Sequence, residues 1–406
     1  MGGHLVWIVG GGIMQVPAIL EAKKRGYKVI VSDINKECIG RQYTDDFYPI
    51  DTYDIKGHLN LADITPVVIG VLAPGADVGP TVSALAEFFG TPSCSLESAL
   101  DTRNKAAMRL LVDDKYPRFD IVQSPSESAA HFWEIRVGYP CVIKPVDNCA
   151  TRGISVAHNR AEFIEGIKVA MKANKQSTGV VIEELLCGPE WATDFFIVNR
   201  QAILVNAVKR YFRHHIPGEK TPLFGIEGAI INPWYKSSEE DGITGIFEAM
   251  ATRAASKLGV TEGPFKLDII YDERYGFCIL EAATRLSGGF DHAFMSPMVG
   301  KDITGLLLDY ATGVPFDYDK LKWNGKYAAS YMPYHRSGKI CGWEVNELDL
   351  HDKYEMCHYF TRSDTEIQDL RNCAARSLWV LCKGDTPQRA LLNAMKASKE
   401  IKPRYD

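Results

Sequence analysis

Apolar strands alternate with amphipathic helices over the first hundred residues, and this alternation constrains the fold more than any other feature. Residues 5–9, "LVWIV", form an apolar run that three glycines end, and residues 14–26 have the pattern of a helix closed by Gly26. A second apolar strand ends at Asp33, and a further strand and helix follow before residue 95. Strands that alternate with helices predict a parallel, doubly wound sheet. We therefore predict an N-terminal Rossmann-like domain over residues 1–100.

The glycine turn after the first strand leaves three interpretations open. Gly10, Gly11 and Gly12 precede a helix and Asp33 ends the next strand, which is the order found in dinucleotide-binding proteins. The spacing departs from the GxGxxG fingerprint, because Gln15 stands where the third glycine is expected. The turn could therefore bind NAD(P), hold a small anionic substrate near Gly11 at the helix N-terminus, or simply begin a helix.

The remaining chain is long enough for two further domains, since it has 406 residues in all. We predict a central α+β domain over residues 101–320, with a smaller lobe at about 117–186, and a C-terminal α+β domain over 321–406. A helix is predicted at 101–113, with Asp101 or Thr102 as its N-cap.

Composition narrows the class of partner. The chain carries 46 basic and 51 acidic residues, a net charge of −5, and no long basic block, which argues against nucleic acid. No apolar stretch approaches the roughly 20 residues that span a bilayer. The ten cysteines are scattered without a CxxC pair, as is typical of reduced cytoplasmic proteins. We predict a cytoplasmic protein with neither a nucleic-acid nor a membrane partner.

Two acidic residues lie on a predicted hairpin at 263–285. Asp268 and Glu281 flank its turn at similar distances, so the hairpin should place them opposite each other on paired strands. Two facing carboxylates repel unless a cation lies between them, and oxygen ligands suit Mg²⁺. The alternative is a surface pair flanked by Lys266 and Arg285.

A lysine and three further carboxylates complete a pattern suited to a nucleotide. Lys144 ends the strand "CVIKP", and a loop of small and polar residues follows at 147–155. Glu183 and Glu184 lie at the end of a later strand, and Glu190 follows soon after. A nucleotide needs backbone hydrogen bonds for adenine, a carboxylate for ribose, and lysines with Mg²⁺ for the phosphates.

In this order the motifs resemble the ATP-grasp superfamily over the N-terminal unit, the region 100–320 and, more loosely, the tail. The resemblance implies an ATP-grasp fold with ATP and Mg²⁺ (or Mn²⁺) as cofactors. It assigns Lys105 and Lys144 to the phosphates, residues 183–186 (Glu183, Glu184, Leu185 and Leu186) to the adenine hinge, and Glu190 to the ribose. It assigns Asp268 and Glu281 to the metal.

The resemblance also implies a mobile lid at 147–155, which includes Arg152, Gly153 and Ser155. Lys209, on the strand "AVKRY", is expected to be a further phosphate-side lysine, and Arg285 to lie beside the transferred phosphoryl group. The turn "SGG" (Ser287, Gly288 and Gly289) is expected to hold the substrate carboxylate with its amides, and the segment 210–228, with Arg213 and His214, could either line the acceptor pocket or form a mobile polar loop.

Two departures from the family pattern concern the metal and the lid. Family members often have Glu-x-Asn on the metal strand, but here Ala283 replaces the asparagine, so one or two metal ions remain open. The lid reads "DNCATRG", and only Gly153 is a glycine, so Arg152 could supply a phosphate contact that glycine amides supply elsewhere.

The resemblance implies an ADP-forming carboxylate–amine ligase that activates an amino acid or other small acid as an acyl phosphate. The tail resembles that of the biotin-carboxylase-like branch, but "LSGG" follows Arg285 where a carboxylase would need a base, and the next acid is Asp291. The alternatives are a purine-pathway or carboxylase enzyme and, from another class, an NAD(P)-binding protein. The oligomeric state stays open, with a homodimer among the options.

Overall fold

The protein is described by a computed structural model of residues 4–112, 114–148, 151–175, 178–212, 226–231, 241–345, 355–367 and 376–406. The N-terminal region has the predicted alternation of strands and helices. Its elements are β1 (Leu5–Val9), α1 (Val16–Lys24), β2 (Lys28–Ser32), β3 (Asp46–Tyr48), α2 (Ile55–Ala62), β4 (Val68–Leu72) and α3 (Gly79–Phe89), with a 3-10 turn at Ile39–Tyr43. The four strands form a sheet that is parallel, as predicted, and their order is β3-β2-β1-β4. Strand β1 is buried along its whole length, since helices cover the sheet.

Two short helices replace the single one predicted at 101–113. They are α4 (Leu96–Arg103) and α5 (Lys105–Val112). Ser95 caps α4, so the prediction of Asp101 or Thr102 as N-cap was wrong. Asn104 interrupts the helix, because its side chain accepts hydrogen bonds from the amides of Ala106 and Ala107. The break makes Lys105 the first residue of α5.

A separate four-stranded antiparallel sheet builds the lobe that follows. Its elements are β5 (Phe119–Val122), α6 (Glu127–Arg136), β6 (Cys141–Pro145), β7 (Ser155–Ala157), α7 (Arg160–Ala173) and β8 (Val180–Glu184). The strand order is β5-β8-β6-β7, and α6 and α7 pack on one face around Trp133, Phe163 and Ile143. The lobe therefore has its own core.

A larger, eight-stranded sheet connects the central and C-terminal regions. The central elements are β9 (Glu190–Val198), β10 (Gln201–Phe212), β11 (Ile226–Ile231), α8 (Asp241–Lys257), β12 (Gly263–Asp272), β13 (Gly276–Ala283), a π-helical turn (Asp291–Met295), α9 (Ser296–Met298), α10 (Ile303–Ala311) and a 3-10 turn (Tyr318–Leu321). The C-terminal elements are β14 (Tyr327–Tyr331), β15 (Gly338–Val345), β16 (Met356–Tyr359), β17 (Thr365–Ile367), β18 (Leu378–Gly384), α11 (Pro387–Lys399) and β19 (Ile401–Tyr405). The sheet order is β13-β12-β9-β10-β11-β14-β18-β16, and β17-β15-β19 form a small sheet beside it.

The two faces of the large sheet have different roles. Helix α8 covers one face, where Phe265, Leu267 and Ile269 of β12 pack against Phe247. Because side chains alternate along a strand, Lys266 and Asp268 project from the other face. That face is open to a cleft below the four-stranded lobe.

Candidate active site

The cleft begins with an open cavity beneath the four-stranded lobe, which we call the hinge cavity; its space, open solvent included, is about 850 Å³. One wall is the chain segment that leaves β8, residues 183–186, and another is β12. The lining is apolar where these two meet, since Leu186 packs against Ile270 beside Leu280. Such a wall suits a ligand that has a flat apolar group, whose polar edge can meet the exposed backbone.

Glu183 organises the charges at the rear of the hinge cavity. Its carboxylate accepts hydrogen bonds from Arg109 at 2.6 Å and Lys144 at 2.5 Å. Burial alone would raise the pKa of Glu183, but the two cations outweigh it and lower the pKa to about 2. Arg109 also donates to the carbonyl groups of Ile279 and Leu280, which ties α5 to β13. Lys144 is thus held at the end of β6 in a fixed place.

Glu184 lies on the outer side of the same segment. Its carboxylate binds Arg118 at 2.9 Å and Arg274 at 3.0 Å, and it accepts a hydrogen bond from Tyr275. These contacts fix the position of Leu185, whose carbonyl Arg274 also binds. The side chain of Glu184 therefore supports the segment, and the backbone is the part that can meet a ligand.

Glu190 begins β9 and lines the hinge cavity. Burial raises the pKa of this carboxyl to about 7, and Asp268 adds to the effect while Arg210 opposes it. Its charge therefore changes near neutral pH.

A second open cavity continues from the first, at the place where the three regions of the chain meet, and we call it the junction cavity. Its space, open solvent included, is about 1140 Å³. Gly75 and Asp77 come from the N-terminal region, and Arg376 and Trp379 from the C-terminal one. The two cavities have seven lining residues in common: Lys105, Thr151, Ile154, Arg210, Ile226, Asp268 and Glu281. They are parts of one continuous cleft.

Asp268 and Glu281 face each other across β12 and β13, which confirms the predicted register. Leu280 is skipped in the pairing, and this bulge keeps Glu281 on the cleft side. Lys105 binds Glu281 at 2.9 Å, while Lys266 and Arg210 bind Asp268 at 2.6 and 3.1 Å. Burial and repulsion by Glu281 would raise the pKa of Asp268, but Arg210 and Lys266 outweigh them and lower it. Lys105 and Lys266 likewise lower the pKa of Glu281.

This donor set fits a divalent metal ion that also binds phosphate. Asp268 and Glu281 offer only oxygen, which suits Mg²⁺, and their repulsion is the kind that a cation relieves. Within the described ranges no group of three or more His, Cys, Asp or Glu side chains could hold a metal ion. The protein would thus provide two carboxylates, and the remaining ligands would come from phosphate and water.

Arg285 follows β13 and lines the junction cavity. Its Nε donates to Asp77 at 3.1 Å and its Nη1 to the carbonyl of Leu286 at 3.0 Å, so the guanidinium is held against the N-terminal region. Burial would raise the pKa of Asp77, but the charge of Arg285 lowers it. Gly288 and Gly289 line the cavity nearby.

Comparison with known proteins names the domain that carries this cleft. The ATP-grasp domain family matches residues 137–292, which include both carboxylates, Lys144 and Arg285. Residues 137–292 form an ATP-grasp domain. The chain is similar to formate-dependent phosphoribosylglycinamide formyltransferase of Wigglesworthia glossinidia brevipalpis, with 25% identity over 205 residues, 48% of this chain and 50% of the relative. It is also similar to D-alanine–D-alanine ligase of Bacillus velezensis, with 25% identity over 187 residues, 42% of this chain and 46% of the relative. The chain thus spans about half the length of the curated relatives it matches.

The structural likeness to known proteins extends beyond the matched domain. The crystal structure of L-amino acid ligase from Bacillus licheniformis superposes with a TM-score of 0.82 over 100% of both chains at 18% identity. This likeness is one of fold, and it includes the N-terminal Rossmann-like region and the C-terminal region. Among the described residues, no helix of this fold has the length and apolar character to cross a membrane.

Lys209 is not where the ATP-grasp resemblance predicted. Its ammonium lies over the rings of Trp191 and Tyr211, at 5.8 and 5.7 Å from their centres, on the α8 side of the large sheet. Arg210, the next residue of β10, lines both cavities instead. A bulge in the β9–β10 pairing between Leu204 and Asn206 shifts the alternation by one residue.

Some residues of the predicted lid line the cleft and others do not. Thr151 and Ile154 line both cavities, whereas Arg152, Gly153 and Ser155 are not among the residues that line either one. Gly153 has a φ of +77°, and a Cβ there would lie 2.3 Å from that of Ala173, so packing against α7 requires glycine. Ser155 also faces α7, since its Cβ is 3.4 Å from the Cβ position of Gly166. Residues 149 and 150 lie outside the described ranges.

Ser287 and Gly11 also use their amides internally. The amide and hydroxyl of Ser287 both donate to Asp194, at 2.6 and 2.7 Å, so this residue cannot hold a carboxylate as predicted. The amide of Gly11 donates to Asp33 at 2.8 Å, and Asp33 accepts a second amide from Asn35. Gly11 does not line either cavity. Arg213 and His214 lie outside the described residues.

Sequence reasoning gave no site role to three residues that line the junction cavity, or to one that binds Glu183 behind the hinge cavity: Arg210, Lys266 and Asp77, and Arg109. The spacing of Arg109 was informative, because a residue four positions after Lys105 lies on the same face of α5. Lys266 lies two residues before Asp268 on one strand, so the two share a face. Asp77 lies 208 positions from Arg285, and no local pattern connects them.

Proposed function

We propose that the protein is an ATP-dependent carboxylate–amine ligase that forms an acyl phosphate and releases ADP and phosphate. Its acid substrate is an amino acid or another small carboxylic acid. One observation carries the proposal. The cavity suited to a flat base and the cavity that holds Arg285 are joined through Lys105, Arg210 and the two carboxylates, so a triphosphate that starts at the hinge would end beside Arg285.

The hinge cavity would hold the nucleoside. The backbone of residues 184–186 would meet the adenine edge, with Leu186 and Ile270 against its face. Glu190 would accept hydrogen bonds from the ribose hydroxyls, and Lys144 would contact the inner phosphates. Because Glu183 already positions Lys144, little ordering is required when the nucleotide binds.

The transfer step would take place where the cavities join. A carboxylate oxygen of the acid attacks the γ-phosphorus, the bond to the β-γ bridging oxygen breaks, and ADP leaves. Lys105, Arg210 and Arg285 are fixed in place to stabilise the charge of the transferred group, and such preorganised charge is the main requirement of phosphoryl transfer. An amine then attacks the acyl carbon and displaces phosphate.

Asp268 and Glu281 would hold Mg²⁺ with the phosphates, and the ion would neutralise part of their charge. Binding of the metal at Glu281 competes with Lys105, which occupies that carboxylate at 2.9 Å. Lys105 would then be available for the phosphate.

Thr151 and Ile154 would cover the phosphates at the point where the cavities join. Lys105 links this loop to the cleft, because its amide donates to the carbonyl of Val146 and its ammonium to that of Asn148, both at 2.8 Å. A covered site protects an acyl phosphate from water.

The rival functions have weaker support. Asp33 and Gly11 satisfy each other, and Gln15 and Cys38 fill the space beside Gly10 and Gly11, so the glycine turn has little room for a dinucleotide. A carboxylase would need a base soon after Arg285, and Ser287, Gly288 and Gly289 stand there.

The test measures ADP release and hydroxamate formation with hydroxylamine, over a panel of the proteinogenic amino acids plus formate and bicarbonate. We expect ADP, phosphate and hydroxamate with at least one amino acid and no change in the fluorescence of added NADPH. Arg285→Met should abolish hydroxamate formation while leaving MgATP binding measurable. Release of AMP and pyrophosphate, or no acid-dependent release of ADP, would contradict the proposal.

The proposal extends to the compartment and the assembly of the protein. We propose the cytoplasm as the compartment, because all eight described cysteines are free thiols. A homodimer is one option for the assembly, and light scattering after gel filtration would test it.

A further inference from the structure

Asp291 lies on the wall of the junction cavity and has no role in the mechanism above. It begins the π-helical turn, only two residues after Gly289, and it is 5% exposed. Both carboxylate oxygens lie 3.7 Å from the position that a Cβ on Gly289 would occupy. Among the residues that the structure describes, nothing donates a hydrogen bond or an ion pair to this carboxylate. Among the described residues its two carboxylate oxygens thus have no hydrogen-bond donor, and they border the cavity, where they could accept a proton from a ligand.

The other carboxylates of this wall are committed. Asp77 pairs with Arg285, Asp268 with Lys266 and Arg210, and Glu281 with Lys105, and the cations lower the pKa of all three. Burial instead raises the pKa of Asp291 to about 7, and Asp194 adds to it. Arg210, Arg376 and Lys266 oppose this rise without pairing. The neighbouring His292 is fully buried, and burial lowers its pKa, so it adds no charge.

The second half-reaction needs a proton acceptor. An amine reaches the enzyme chiefly as an ammonium ion at neutral pH and has no lone pair to attack with. The described side chains of the junction cavity that could accept a proton are the four carboxylates, and three of them are held ionised by cations. Asp291 alone among these combines an open carboxylate with a proton affinity near neutrality.

We propose that Asp291 is the general base that removes a proton from the ammonium group of the acceptor substrate. This inference rests on the proposed ligase function. The ammonium gives one proton to the carboxylate, and the neutral nitrogen forms a bond to the acyl carbon. The bond from that carbon to the phosphate oxygen breaks, and the second amine proton leaves with the phosphate. Asp291 then returns its proton to solvent.

The surroundings of Asp291 define the acceptor pocket. The outer edge of the Trp379 indole lies 3.2 Å from the same Cβ position of Gly289, so indole and carboxylate border one space. The guanidinium of Arg376 lies 5.1 Å above that indole. An ammonium group in this space would thus meet the Asp291 carboxylate, which attracts it by charge, while the indole edge forms an apolar wall of the same space.

The test separates the two half-reactions in Asp291→Asn, with the acid that gives most hydroxamate in the wild type. Hydroxylamine is uncharged at neutral pH and needs no base, so hydroxamate formation should stay within about threefold of the wild type. Amide formation with an amino acid or methylamine should fall by about 10²–10⁴-fold. The residual rate should rise about tenfold per pH unit, because only the free amine reacts, whereas the wild-type rate should level off near neutrality.

Asp309→Asn is the matched control, since Asp309 is equally buried but pairs with Arg25 and Lys320 far from the cleft. It should lower thermal stability and keep the ratio of amide to hydroxamate formation. If Asp291→Asn lost hydroxamate and amide formation equally, or kept full amide formation, the role of Asp291 as the base would be refuted and the ligase function would stand. Absence of hydroxamate in the wild type would instead refute the ligase function on which it rests.

Discussion

Exchange of Arg210 for methionine should weaken MgATP binding about 10- to 150-fold, whereas the same exchange at Lys209 should leave it within about twofold. Arg210 lines both cavities, and its Nη1 lies 3.1 Å from Asp268. A charge-assisted hydrogen bond contributes about 1.5–3 kcal/mol, and each 1.4 kcal/mol is a factor of about ten. The ammonium of Lys209 instead lies over the rings of Trp191 and Tyr211 on the other face of the sheet. This cation–π contact contributes about 0.5–1 kcal/mol to folding stability and none to MgATP binding.

Titration calorimetry with MgATP, without the acid, measures both variants. Arg210→Lys is the control for charge and should recover part of the affinity, because it keeps the cation but not the planar donor group. Thermal unfolding should show a loss in Arg210→Met, since Asp268 then keeps only Lys266. Equal weakening by Lys209→Met, or unchanged affinity in Arg210→Met, would show that the face assignment of β10 is mistaken.

Four further substitutions test the same cleft. Lys144→Ala should raise the Kd for MgATP by about 10-fold or more. The fold should survive, because Glu183 keeps its ion pair with Arg109. Calorimetry and a melting curve check both results, and an unchanged Kd would contradict the first. Glu281→Gln should lose turnover by orders of magnitude and Asp268→Asn less, with partial rescue by Mn²⁺; full activity in Glu281→Gln would refute the metal site. Because the pKa of Glu190 is raised to about 7, its ionised form dominates above neutrality. MgATP affinity should therefore rise with pH through that value and become flat in Glu190→Gln, and a pH-independent wild type would exclude the ribose contact.

The N-terminal strands and helices and the pairing of Asp268 with Glu281 could be predicted from the sequence, because both depend on local patterns. The hairpin that carries Asp268 and Glu281 has a turn that its own residues specify, and the turn determines which residues face each other. The turn between β9 and β10 is local in the same way, and both of its residues, Asn199 and Arg200, have positive φ angles.

The errors arose where one residue or one distant contact decides the outcome. The ATP-grasp resemblance assigned Lys209 to the phosphates, but a single bulge in β10 places Lys209 on the α8 side and Arg210 in the cleft. Ser287 gives its amide to Asp194, which is 93 positions away in the sequence. The break at Asn104 depends on a side chain competing for the helix amides, which a propensity scale does not resolve.

The eight-stranded sheet limits where this chain can be divided. Strand β11 pairs with β14 on its outer side, so the region predicted as a separate domain, 321–406, supplies the next strands of the same sheet. A fragment that stops near residue 325 would leave the outer edge of β11 unpaired, and such edges promote aggregation. The lobe of β5 to β8 has its own sheet and core, so exchange of that lobe between relatives is the better route to hybrid enzymes.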